Sequence, residues 1–184
     1  MSGALIDTTE KGILTALRGF LAGVLAPGTP IIRAQVNRVP EPALPDFVLM
    51  TPLRRERQAT NIDSWEYDPD ASSYYLLMKT EITYQLDVHG PASAENAQII
   101  ATVLRDGYAV DAFAASGLQI APLYASEPHE MPFVNAESQV EMRWVLEACL
   151  AANITVTIPQ QFANTVNVGL ISVDTLPDTE PAPV

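Results

Sequence analysis

Tyr74-Tyr75-Leu76-Leu77-Met78-Lys79-Thr80-Glu81-Ile82-Thr83-Tyr84-Gln85-Leu86-Asp87-Val88 reads as one long strand. In its second half Ile82, Tyr84, Leu86 and Val88 alternate with Glu81, Thr83, Gln85 and Asp87. Successive side chains on a strand point to opposite faces, so this pattern predicts one buried face and one wet face. Gly90-Pro91 breaks the run, and Ser93 stands where a helix cap is expected. Ala97, Ile100, Ala101, Leu104 and Tyr108 then follow at helical spacing, the buried stripe of a helix.

Outward from this strand the same two periods recur. Gln139 to Ile158 alternates with Val140, Met142, Trp144 and Leu146 inward and Glu141, Arg143 and Glu147 outward. A run of that length predicts a bend or bulge near Ala151-Ala152-Asn153. Ile31 to Val36 and Phe47 to Gln58 are two further strands, joined by a proline-rich link from Val39 to Pro45. Asp111 to Ser126 is a short helix or turn and then a strand around Leu118 to Leu123, and Asn167 to Asp174 is a last strand. Near the start, Asp7-Thr8-Thr9-Glu10 resembles a capping box with Asp7 as N-cap. Ile13, Leu14, Leu17, Leu21, Val24 and Leu25 make the helix behind it amphipathic, and Pro27-Gly28 stops it. Gly19 and Gly23 share a face there, which predicts close packing on another backbone. The fold expected is α+β: a two-layer sandwich, mostly antiparallel sheet, with two principal helices packed on one face. Residues 1–176 form one domain, residues 61–73 a loop or hairpin arm, and residues 177–184 a disordered, acidic, proline-rich tail.

Charge is divided unevenly along the chain. The net charge is −12, yet seven of the ten Lys and Arg lie at or before Gln58, against five of the 22 acids. Such asymmetry bears on association and solubility, not on fold. It argues against affinity for the nucleic-acid backbone, which needs clustered cations to displace counterions. An acidic surface that DNA slides past is compatible with it. Arg54, Arg55 and Arg57 stand together at the end of the apolar strand that starts at Phe47. An unpaired buried charge costs several kcal/mol or more, so these guanidinium groups must meet something acidic or stay in water. In so acidic a protein the nearest acidic surface is another copy of the chain; a solvated basic loop is the plain alternative.

The single cysteine, Cys149, excludes an internal disulfide or a cysteine-built zinc site, and its apolar neighbours make it a buried thiol. His89 and His129 read as surface histidines, His89 as part of the wet strand face. Asp63 to Asp70 lacks the glycine and terminal glutamate of a calcium loop. There is no phosphate-binding glycine loop, nucleophile elbow or zinc-protease motif. No stretch approaches the roughly 20 apolar residues that span a bilayer, and no secretory leader is visible, so a soluble protein of a reducing compartment is expected. The chain reads as a non-enzyme without cofactor or metal.

Val36-Asn37-Arg38-Val39-Pro40-Glu41-Pro42, Val48 to Arg57, Tyr84 to Pro91, Pro122-Leu123-Tyr124-Ala125 and Pro159-Gln160-Gln161-Phe162-Ala163 occur in this order. Together they resemble the phage neck or tail terminator family, over about Arg33 to Asp174. The resemblance implies a virion protein at the tail–neck junction, forming a hexameric ring on the last ring of the tail tube. Such a ring stops tube polymerisation and offers a docking surface to the head connector or neck protein, while genomic DNA passes through its lumen. The tail sheath is a further neighbour to consider, and the family carries no catalytic residues. Within that reading Arg54, Arg55 and Arg57 would meet carboxylates of a neighbouring subunit or tube ring, and surplus acid would line the lumen. Gln160, Gln161 and Phe162 would form a contact loop, unless Phe162 folds back into the core. Another head–tail joining protein (connector, stopper or neck protein), a cytoplasmic enzyme and a small binding module remain the competing readings.

Overall fold

The computed structural model describes residues 3–35, 42, 44–68, 72–134, 140–160 and 168–169. The expected strand at Asn167 to Asp174 and the tail at 177–184 lie, almost wholly, outside these residues. In chain order the elements are β1 Leu5–Ile6, α1 Glu10–Val24, β2 Ile31–Arg33, β3 Phe47–Arg57, β4 Ile62–Glu66, β5 Ser73–His89, α2 Ser93–Val103 and α3 Gly107–Ala114. They continue as β6 Ile120–Ala125, β7 His129–Glu130, β8 Phe133–Val134, β9 Val140–Glu141 and β10 Arg143–Pro159.

β5 and β10 pair antiparallel along their whole length, from Arg143 opposite His89 to Pro159 opposite Ser73. β3 and then β4 flank β5, while β7, β6 and β1 follow one another along the outer edge of β10. β2 adds to β3 in the one parallel pairing among the described residues. The result is the α+β architecture expected, a mostly antiparallel sheet with helices on one face; α3, the short third helix, starts at Gly107, ahead of the short helix or turn expected from Asp111. Ile82, Tyr84, Leu86 and Val88 of β5 meet Leu146, Ala148, Leu150 and Ile154 of β10 on that face, in one core with Ile13, Leu17 and Leu21 of α1. Full burial of each Leu or Ile is worth about 2 kcal/mol, and the layer is held mainly by this term.

Several local expectations are corrected. Thr9, not Asp7, caps α1, its hydroxyl accepting from Gly12 N at 3.1 Å. Asp7 instead accepts from Thr155 N at 2.9 Å and pins the chain entry to β10. Ser93 does not cap α2; the carboxylate of the sequence-distant Asp46 accepts from Ala92 N at 2.9 Å. The stripe ends at Leu104, because Asp106 caps a new helix, α3, and leaves Tyr108 half exposed. Gly19 faces open space, and Gly23 meets the Tyr108 hydroxyl, so neither packs on a backbone. Val140 and Met142 are exposed, because regular pairing of β10 with β5 starts only at Arg143. The irregularity expected in the long strand lies between Cys149 and Leu150, on the side facing β6, and the ladder to β5 runs through unbroken.

Gly90 holds φ +100°, and a Cβ there would sit on Asp46 Oδ1 and the Pro45 carbonyl, 2.8 Å from Asp46 Cα. This is the junction where β5, the Asp46 cap and α2 meet. Gly90→Ala is therefore expected to cost on the order of 3 kcal/mol, left-handed strain adding to overlap. Thermal melting should show a fall of about 6–12 °C for a chain of this size.

Candidate protein–protein interfaces

The face of β5 expected to be wet is partly buried. Thr83, Asp87 and His89 are closed in by Phe47 and Thr51 of β3 and by Val145 and Cys149 of β10. Asp87 forms an ion pair with Arg143 Nε at 3.0 Å, and Gln85 Nε2 donates to its two oxygens at 2.9 and 3.0 Å. His89, 5 % exposed, stacks on Phe47 with ring centroids 4.4 Å apart, so it is no surface histidine. Burial lowers its pKa from the ordinary value; Arg143 lowers it further, while Asp87 and Glu141 oppose. The cluster is an internal ion pair beside a stacked ring. The hollow next to it, about 440 Å³, is lined by prolines and apolar groups such as Phe47 and Met142, and Glu141 is the charged side chain among the described residues that line it. Cys149 is buried, as its neighbours suggested, with its sulfur 3.7 Å from Thr83 Oγ1. Among the described residues no group of three or more His, Cys, Asp or Glu is placed to hold a metal ion.

The arginine cluster is organised by one irregularity. The β3–β5 register shifts between Pro52 and Arg54 and leaves Leu53 unpaired. Proline cannot donate to a ladder, and Pro52 sits beyond the reach of β2, where β3 has become an edge. A bulge of one residue exchanges the two faces of a strand. Before it Val48 and Met50 point to the helices; after it Arg55 and Arg57 do, opposite Ile82 and Thr80. Arg55 consequently reaches Glu10 at the start of α1, and Glu10 also accepts from the Tyr84 hydroxyl at 3.1 Å. Tyr84 has no exposed surface, and its hydroxyl titrates well above the ordinary range because of burial, then the Glu10 charge, with Arg55 opposing.

The six residues singled out in the sequence therefore separate. Arg55 is engaged inside the chain, and Arg54 pairs with Glu56 of its own strand at 2.9 Å, both half exposed. Arg57 is exposed and has no ion-pair partner among the described residues. Gln160 is exposed, its backbone N–H donating to Ser72 O at 3.1 Å, whereas Gln161 and Phe162 lie outside the described residues. Sequence reasoning missed Glu10 as the partner of Arg55, since it had been read only as part of a cap.

It also missed the end of the sheet. β4, the first half of β5, the last third of β10 and β1 form one end of the same eight-stranded sheet. Trp65 stacks on Tyr74 at 5.2 Å and remains 59 % exposed; Ile6 and Ile158 are exposed on the same face. The opposite face carries exposed Leu5 and Ile62. Exposed apolar side chains thus gather at this end of the sheet.

Two outcomes follow. Arg55→Met should cost about 1–2 kcal/mol because it strands Glu10 beside a buried tyrosine, whereas Arg57→Met should stay within about 0.5 kcal/mol. Denaturant midpoints of the two variants measure that contrast. His89 is stabilised in its neutral form, so its contribution is present above the ordinary pKa of 6.5 and is lost as pH falls below that through its lowered folded-state value. The melting temperature should fall from about pH 7 to about pH 5, and His89→Phe, which keeps the stack on Phe47, should flatten that fall.

No curated protein matches the chain. A protein-family model, described as phage neck terminator protein, matches residues 11–174. That span takes in the helical layer, the arginine strand and the whole of the long central pair. The chain therefore belongs to the phage neck terminator protein family, structural virion proteins of the joint between head and tail.

Proposed function

We propose that the chain assembles into a closed hexameric ring that caps the tail tube, arrests its polymerisation and presents its other side to the head connector or neck protein. The observation that carries this reading is the sheet end beyond the helices, where Trp65, Ile6 and Ile158 are exposed on one face. A ring of identical subunits needs a heterologous contact between two different patches, and this exposed apolar sheet end supplies one of them. Arg57 is the member of the arginine cluster that remains for a carboxylate outside the chain, on a neighbouring subunit or a tube ring. The acidic surplus fits a lumen through which DNA passes without adhering, because binding to phosphates requires basic patches.

Added to tail-tube protein that is polymerising, the chain should cap tube ends and shorten the tubes in electron micrographs. Tubes that lengthen at an unchanged rate and carry no cap would contradict the reading. Duplex DNA should show no mobility shift with the chain even at about 50 mM salt, where phosphate contacts are strongest. A salt-sensitive shift would remove the sliding lumen.

A further inference from the structure

Among the described residues, two of the open strand edges of the sheet, those of β2 and β4, carry opposite charges. Among the described residues β2 pairs only with β3, and β4 only with β5. Beside β2, a groove of about 360 Å³ runs between that strand and α1. Lys11, Arg18 and Arg33 stand along it, three of the ten basic residues of the chain, over buried Leu14, Ile31 and Met50. Among the described residues no carboxylate lines it, and none of the three cations has an ion-pair partner. β4 has the reverse character. Asp63 and Glu66 lie on it and Asp68 just past it, between exposed Ile62, Trp65 and Tyr67. No Lys or Arg occurs between Arg57 and Lys79.

The arm cannot serve its own groove. β2 lies alongside the part of β3 that pairs with Leu86 to Val88, while β4 pairs with Ser73 to Leu77. At about 3.3 Å per residue the two edges are on the order of 30 Å apart along β5. We infer that the β4 edge of one copy docks in the α1–β2 groove of the next; this rests on the ring reading above. Carboxylates of Asp63, Glu66 and Asp68 meet Lys11, Arg18 and Arg33, with bidentate geometry at the arginines. The apolar side chains of the arm settle on Leu14 and Met50, and the two unpaired strand edges share backbone hydrogen bonds. Because the arm and the groove are different patches, the contact repeats head to tail, the kind of contact from which a closed ring is built.

Two charge-reversed chains test it: a groove variant, Arg18→Glu with Arg33→Glu, and an arm variant, Asp63→Lys with Glu66→Lys. All four positions are exposed, and thermal melting confirms that each variant folds. Native mass spectrometry reads assembly of each variant, of their equimolar mixture and of the wild type. Carbodiimide coupling of mixed isotope-labelled and unlabelled wild-type chain reads which carboxylate lies against Lys11 of another copy. Each variant alone should require at least about ten-fold more protein to assemble, about 1.4 kcal/mol. The mixture should recover, with the two masses alternating in one ring, since a reversed arm fits a reversed groove. Mixed-isotope links should join Lys11 to Asp63, Glu66 or Asp68. Variants that assemble like the wild type, a mixture that does not recover, or Lys11 links confined to other carboxylates would overturn the pairing while the ring stands. A wild type giving neither rings nor mixed-isotope links, even with excess tail-tube protein, would overturn both.

Discussion

Everything in the molecule is arranged along the unbroken ladder between β5 and β10. Each strand has 17 residues, a length of about 55 Å at the usual rise. The longest helix, α1, has 15 residues and spans only about 22 Å. Helices of that size cannot cover strands of that length. One half of the ladder therefore becomes the floor of the core, and the other half runs on beyond it with its side chains mostly half-buried. The exposed apolar residues at that end, Ile6, Trp65 and Ile158, are thus a consequence of the pairing length. Their exposure is what a subunit of a larger structure requires and what an isolated domain would avoid.

The second constraint is local and follows from Pro52. By breaking the β3 ladder where that strand has become an edge, it exchanges the faces of the residues after it. The guanidinium of Arg55 is thereby brought over the start of α1, where Glu10 receives both it and the buried Tyr84 hydroxyl. Without the slip Arg54 would take that direction. The bulge thus puts Arg55 and Arg57 on the helix side and Arg54 on the other; of the first two, Arg55 reaches Glu10, while Arg57, farther along the strand, stays exposed.

Periodicity made the long central strands, the first helix and the α+β class legible, because alternation and helical spacing report burial directly. The resemblance located the family. What was hidden depended on partners distant in sequence. Asp46 caps α2 from 46 residues away, and Asp7 binds Thr155 from 148 residues away. No spacing rule encodes either. His89 was misread for a related reason: alternation says which face of a strand a residue takes, but not whether Phe47 of a neighbouring strand covers it. The arginine cluster was legible as a feature, but its division was not, since that turns on a single residue of register.

The most direct measurement is the mass of the purified chain in solution, alone and with excess tail-tube protein, by native mass spectrometry. A closed hexamer in either condition is the result predicted for a ring that caps the tube. A 19.9 kDa monomer in both, indifferent to the tube protein, would contradict it.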